Sequence, residues 1–232
     1  RGFVAEDYCP GGPESRMYFT DANGQKIDAC RIWIEENKEN GFISEDEYFA
    51  LLAALLEYAD KVANTASVYG AYLKNFKASA QKSLEIKPLD LIPSSASQRV
   101  IQGDANEIIK DIKGDILYLD PPYNQRQYSS NYHVLETIAL YDSPELRGKT
   151  GLRDSGENKS DYCSRSQVLD SFKELLGNAD FKYIFLSYNS EGLMSFDDIR
   201  EAMSEHGTYT QKTTVYNRFK QDSARPNQDR TV

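Results

Sequence analysis

The 232 residues carry 27 Lys and Arg against 36 Asp and Glu, a formal net charge of −9, with 40% hydrophobic and 12% aromatic residues. This is the balance of a soluble globular chain long enough for one large domain. No run approaches the 18 apolar residues of a membrane-spanning helix, and the acidic excess argues against a broad nucleic-acid footprint while leaving room for a local basic surface.

Residues 1–27 are polar and turn-rich. The start, Arg1 to Asp7, has no initiator Met and no apolar core of a signal peptide. Asn23-Gly24, between Tyr18-Phe19-Thr20 and Lys26-Ile27, predicts a tight turn or short hairpin. A short helix is compatible with Asp28 to about Asn40, with Trp33 as a core residue. Ser44-Glu45-Asp46-Glu47 has the form of a capping box. It precedes Phe49, Leu52, Leu55, Leu56, Ala59, Val62 and Ala63 at helical spacing, so a long amphipathic helix follows. A further helix, broken near Gly70, is expected from Tyr69 to Phe76. Pro88, Pro93 and the nearby serines read as a connector.

Beyond it the pattern becomes strand–helix alternation. Val100-Ile101 predicts a short strand, Glu107–Ile112 one or two helical turns, and Ile116–Leu119 a buried strand. Tyr132–Tyr141 has helical spacing. Residues 143–164, about 22 in number and poor in apolar anchors, predict a mobile loop. A helix from Gln167 should end at Gly177 in a left-handed cap. Tyr183–Leu186 predicts a buried strand, Ser195 starts a helix ending near Gly207, and Tyr209–Phe219 alternates as a strand. The expected organisation is 1–27 as a remnant of a cofactor-domain region, 28–90 as a helical insertion, and 91–232 as an α/β core.

Asp120-Pro121-Pro122-Tyr123 closes the strand predicted at 116–119. The prolines fix φ, remove two donors and hold the preceding residues extended. The corner thus offers one carboxylate, bare carbonyls and a flat ring at the strand edge where α/β proteins bind ligands. An aromatic amine is a poor nucleophile because its lone pair is delocalised. If the Asp120 carboxylate accepts one N–H and the Pro121 carbonyl the other, the nitrogen is held pyramidal with its lone pair directed outward. Tyr123 can stack on the base. This is catalysis by orientation and electrostatics, and a duplex base must be flipped out to reach it. A plain strand-terminating turn is the alternative.

Leu117-Tyr118-Leu119-Asp120-Pro121-Pro122-Tyr123-Asn124 resembles the catalytic motif of S-adenosylmethionine-dependent adenine-N6 DNA methyltransferases. Gly103-Asp104-Ala105, Asn131-Tyr132-His133, Leu186-Ser187-Tyr188-Asn189 and Tyr216-Asn217-Arg218-Phe219 resemble further family segments. The helical unit before Gly103 is similar to the insertion of the Dam-type and type II modification enzymes. The resemblance implies a Rossmann-like α/β sheet, incomplete here, with a helical insertion. It implies S-adenosylmethionine as cofactor, contacted by Asp104 and Asp120. Its expected substrate is double-stranded DNA with a flipped adenine, held by Tyr123, Asn124, Arg126 and Tyr128. A restriction–modification system, with a cognate endonuclease as partner, is the expected setting. An RNA amine methyltransferase and an inert DNA-binding module are the alternatives. The family's Phe-x-Gly-x-Gly cofactor loop has no counterpart: no Gly-x-Gly stands in the sequence, and Gly11-Gly12 reads as a turn. The family order places that loop before residue 1, so the substrate half of the site is expected here and little of the cofactor half.

Other candidates carry less. Gly148-Lys149-Thr150 lacks both the first glycine and the strand of a phosphate loop. His133 and His206 are isolated, and Cys9, Cys30 and Cys163 are odd in number without metal-site spacing. No metal site is therefore expected, and reduced thiols in a cytoplasm are. His133 faces a cleft or is structural. Asp104 is a cofactor contact or a helix N-cap. Asn124, Arg126 and Tyr128 touch the nucleotide or form a solvated turn. Lys212, Arg218, Lys220, Arg225 and Arg230 contact DNA phosphates or are dispersed surface charge.

Overall fold

The computed structural model describes residues 2–154, 156, 159–216 and 230–231. In chain order its elements are α1 (Phe3–Asp7), α2 (Asp21–Glu39), α3 (Glu45–Lys61), α4 (Ala105–Ile108) with a 3-10 turn at Ile109–Asp111, and β1 (Lys113–Leu119). There follow α5 (Tyr128–Asn131), α6 (His133–Leu140), β2 (Leu146–Arg147), β3 (Leu152–Arg153) and a 3-10 turn at Asp161–Cys163. The chain continues with α7 (Val168–Asn178), β4 (Asp180–Leu186), α8 (Phe196–Ser204), β5 (Val215–Tyr216) and β6 (Arg230–Thr231). Two compact units result: Arg1–Ser95 with Tyr128–Gly156, and Ala96–Gln127 with Glu157–Val232.

The first unit is helical and rich in buried tyrosine. Tyr8, Tyr18, Phe19, Ile27, Leu55, Tyr69, Val134 and Ile138 are fully buried in one cluster. The capping box of α3 forms as expected: the Glu47 N–H donates to Ser44 Oγ, and the Ser44 N–H to the Glu47 carboxylate. The Asn23-Gly24 hairpin does not form. Thr20 caps α2 instead, accepting from the Asn23 N–H, so Asn-Gly sits in the first helical turn. The Asn23 amide is consumed far along the chain, donating to the carbonyls of Ala80 and Lys82 and accepting the Leu84 N–H. Gly24 is required by closeness, since a Cβ there would lie 2.3 Å from Cys9 Sγ. No helix forms at 69–76, where an isolated bridge joins Thr65 to Tyr72. Trp33 is not core: it is 52% exposed on α2.

Two buried charges hold this unit together. The Asp28 carboxylate, 3% exposed, accepts the Val4 and Ala5 N–H groups and the Tyr141 hydroxyl, each at 2.8 Å. It thereby satisfies the free donors at the start of α1. The Arg31 guanidinium, equally buried, donates to the Ile138 and Ala139 carbonyls at the end of α6 and pairs with Glu35. That pairing holds the Glu35 carboxyl below its usual range.

Residues 143–164 are not the featureless loop that their composition predicts. β2 and β3 pair as an antiparallel hairpin around Gly148-Lys149-Thr150-Gly151. Its turn is bonded to buried side chains: Arg16 donates to the carbonyls of Gly148 and Lys149, Tyr18 to that of Thr150, and Tyr8 to that of Gly151. Gly151 has φ +66, and a Cβ there would meet Arg16 Nε at 2.8 Å.

The second unit is built on β1 and β4, paired in parallel with Leu117 opposite Ile184 and Leu119 opposite Leu186. Leu117, Leu119, Ile184 and Leu186 pack on the cluster of Phe172, Leu175, Leu176 and Ile199 from α7 and α8. The alternate residues Ile116, Tyr118, Tyr183 and Phe185 are more than half exposed. Both expected strands therefore form, but each is buried on one face only, because helices cover one side of the pair. Val100-Ile101 is not a strand; Val100 is exposed. Gly177 lies inside α7, which ends at Asn178 with Ala179 as its C-cap rather than in a glycine cap. α8 begins at Ser195 with a second capping box, closed by Asp198, and ends at Ser204 rather than near Gly207. The strand expected at 209–219 is reduced to β5, paired antiparallel with β6; 217–229 lie outside the described residues. The fold is thus mixed helix and strand, with a small parallel sheet.

Candidate active site

β1 ends at Leu119, and its pairing with the neighbouring strand extends one step further, through the Ser187 N–H to the Leu119 carbonyl at 2.9 Å. Asp120-Pro121-Pro122-Tyr123 leaves the sheet at this C-terminal edge. The Asp120 residue is exposed, and the two prolines and Tyr123 are half-buried. Tyr123 packs on the cluster beneath the sheet, which anchors the corner's ring side. The next turn is closed by the Asn124 side chain, which accepts the Arg126 N–H at 2.9 Å. Asn124 and Arg126 are exposed.

The adjacent strand end, Leu186-Ser187-Tyr188-Asn189, is the most tightly constructed part of this edge. Tyr188 is buried, and its hydroxyl accepts the Met194 N–H; burial raises its pKa. Asn189, 7% exposed, accepts the Glu191 N–H on its side chain and the Gly192 N–H on its carbonyl. Gly192 is obligatory, as a Cβ would stand 2.1 Å from the Tyr188 ring. A cavity of about 880 Å³ borders Ser187 and Tyr188 and follows β4 towards Thr208–Gln211; the four corner residues do not line it.

Asp104 belongs to the same unit. Its side chain caps α4, accepting the Asn106 N–H at 2.8 Å. Tyr128 does not belong to it. It opens α5 in the first unit, where its ring stacks on Tyr132 with centroids 5.6 Å apart and an interplanar angle of 22°. His133 is structural: fully buried, it bonds the Tyr69 carbonyl through Nε2, and its Nδ1 has no hydrogen-bond partner. Burial lowers its pKa. His206 and Lys212 are exposed. Arg218, Lys220 and Arg225 lie outside the described residues, as do three of the four residues of Tyr216-Asn217-Arg218-Phe219. Sequence reasoning missed Gln127 and Ser160, which bond each other twice. It also missed the buried Tyr162–Asn106 pair. Neither partnership has a local signal, because 33 and 56 residues separate the partners.

The corner thus sets a carboxylate, a proline-stiffened carbonyl and an aromatic ring at the carboxyl edge of a parallel strand pair, groups whose chemistry allows them to hold a planar amine. Residues 12–202 match the family model of the D12 class N6 adenine-specific DNA methyltransferases, and the chain belongs to that family. Among curated relatives, it is 56% identical over 221 residues to the type II methyltransferase M.NlaIII of Neisseria lactamica, covering 95% of this chain and 66% of that protein. The type II methyltransferase M.FokI of Planomicrobium okeanokoites is 42% identical over 94% of this chain and 34% of its own length. M.CviAII of Paramecium bursaria Chlorella virus 1 is 42% identical over 94% of this chain and 64% of its own. The chain therefore spans about two thirds or less of the length of these relatives. No solved structure matches it. Among the described residues, no helix is long and apolar enough to cross a membrane.

Proposed function

We propose that the chain carries the amine-binding half of a site-specific DNA methyltransferase that modifies adenine N6, acting within a restriction–modification system. The observation that carries this is the placement of Asp120–Tyr123 at the C-terminal edge of β1, in a chain of the D12 family. The Asp120 carboxylate accepts one N–H of the adenine amine and the Pro121 carbonyl the other, so the nitrogen lone pair is freed from the ring and fixed in direction. Tyr123, backed by the cluster beneath it, stacks on the flipped base; such a stack contributes about 1–3 kcal/mol. Asn124 and Arg126 hold the flanking nucleotide.

S-adenosylmethionine, when bound, supplies the methyl group. The residues present fit its adenosine end, where the exposed Asp104 carboxylate stands ready to hold a hydroxyl or an amine. They do not fit its methionine end, since no Gly-x-Gly loop is present. The sheet is read as part of a Rossmann-like methyltransferase core over 91–232, with the helical region 28–90 making sequence-specific contacts. A cytoplasmic location and a cognate endonuclease go with this reading.

The test is to express the complete natural polypeptide in cells lacking adenine methylation and quantify N6-methyladenine in their DNA by mass spectrometry. Methylation in the wild type and none in Asp120→Ala is expected. DNA that gains no methyl groups while folded protein is present would refute the reading.

A further inference from the structure

Upstream, the corner is fixed by β1, through the Ser187–Leu119 bond at its end. Tyr123 is held by its packing on the cluster beneath the sheet, but beyond it there is no strand or helix until α5, so the path of the exposed chain leaving the corner depends on where it is next anchored. That anchor is Gln127. Its Nε2 donates to the Ser160 carbonyl at 3.1 Å and its Oε1 accepts the Ser160 N–H at 2.9 Å. The side-chain amide thus imitates one rung of a β-ladder. One residue earlier, the Arg126 carbonyl accepts from Cys163 Sγ at 3.5 Å. Both contacts are made to the 3-10 turn Asp161–Cys163 and its N-cap.

The same turn reaches Asp104. Its central residue Tyr162, 9% exposed, donates its hydroxyl to Asn106 Oδ1 at 2.9 Å. Asn106, 8% exposed, donates to the Ser171 carbonyl at 2.8 Å and to Glu174 at 3.2 Å, while its N–H is the group that Asp104 accepts. One short turn is therefore bonded on one side to the chain leaving the corner and on the other to the residue that Asp104 caps.

We propose that Gln127 and Tyr162 are positioning residues for methyl transfer, and that the Ser160–Cys163 turn is a brace setting the Asp120–Tyr123 corner relative to Asp104. The inference rests on the methyltransferase reading above. Neither side chain needs to touch a reacting atom. Gln127 acts through the backbone of Arg126 and the path of the chain leaving the corner, and Tyr162 through Asn106 and Asp104. Small displacements of groups that aim a nucleophile cost up to about 100-fold in rate.

The experiment uses the complete natural polypeptide, radiolabelled S-adenosylmethionine and unmethylated genomic DNA. Single-turnover rate, KM for the methyl donor, DNA affinity and melting temperature are measured for Gln127→Ala, Gln127→Glu and Tyr162→Phe. Gln127→Ala should lose about 10- to 100-fold in rate with donor KM and DNA affinity within about twofold. Gln127→Glu keeps the acceptor for the Ser160 N–H and should fall in between. Tyr162→Phe keeps the ring and should raise donor KM more than it lowers the rate. Because both act through one turn, the double variant should lose less than the product of the single losses. A Gln127→Ala rate within about twofold of wild type would overturn the proposal. So would a loss that follows the melting temperature and vanishes on cooling. A wild-type polypeptide that transfers no methyl group would instead defeat the methyltransferase reading, and the brace with it.

Discussion

Replacing Asp28 by Asn is the sharpest test of how the first unit holds its N-terminal segment. The substitution keeps shape and volume and removes one acceptor and the charge. In the native protein two carboxylate oxygens serve three donors, the N–H groups of Val4 and Ala5 and the Tyr141 hydroxyl. Asn offers one carbonyl oxygen and turns an NH2 group towards the remaining donors. At least one buried N–H then loses its partner, at about 1–3 kcal/mol, and the surviving bonds fall from charge-assisted to neutral strength, at about 1 kcal/mol each. The expected loss is about 3–5 kcal/mol, which for a chain of this size lowers the melting temperature by roughly 6–20 °C. Tyr141→Phe removes a single donor and should cost about 1–2 kcal/mol. Thermal unfolding followed by near-ultraviolet circular dichroism of the buried tyrosines measures both. If Asp28→Asn cost no more than Tyr141→Phe, the clamp as described would be wrong.

Asp120→Ala should reduce methyl transfer by about 100- to 1000-fold, the usual effect of deleting one preorganised electrostatic contact, with an unchanged melting curve because the residue is exposed; residual transfer is read by radiolabel incorporation. Gly151→Ala should destabilise by about 1–3 kcal/mol, since it combines a φ of +66 with a methyl 2.8 Å from Arg16 Nε; urea denaturation gives the value. His133 sets a pH dependence. Burial lowers its folded pKa below the unfolded value of about 6.5, so below that pH the unfolded chain binds the proton that the folded chain refuses. Its contribution is complete above about pH 6.5 and is lost as pH falls towards the folded pKa, at up to about 1.4 kcal/mol per pH unit. Melting temperatures between pH 5 and 7.5 should therefore rise more steeply in wild type than in a His133→Gln variant; equal slopes would exclude His133 as the source.

What was legible in the sequence was local. Ser44 and Glu47 announce α3 because both partners of the capping box lie within four residues, and Ser195 with Asp198 does the same for α8. The corner is legible for the same reason, since prolines act on their immediate neighbours. Asn23-Gly24 misleads because Thr20 offers a cap and residues 80–84 absorb the Asn23 amide, a partnership made across about sixty positions. The hairpin at 146–153 is invisible because its anchors, Tyr8, Arg16 and Tyr18, are polar and lie more than 130 residues away. Strand burial was half right. Alternation in β1 and β4 is masked when both faces carry large apolar side chains, so periodicity could not tell the packed face from the open one. Within the candidate site, the four corner residues were readable and the Gln127 amide bonded to Ser160 was not.

Trp33 has an optical consequence. It is the only tryptophan beside 16 tyrosines, and it stands half in water on α2 while Tyr8, Tyr18 and Tyr69 are sealed inside. Its emission should already be red-shifted in the native state, so unfolding will hardly change its wavelength. The same indole is well placed to signal anything that comes to rest on this side of the helical unit. Quenching of Trp33 by added duplex can thus be followed without interference from the core, while the tyrosines separately record whether the protein is folded.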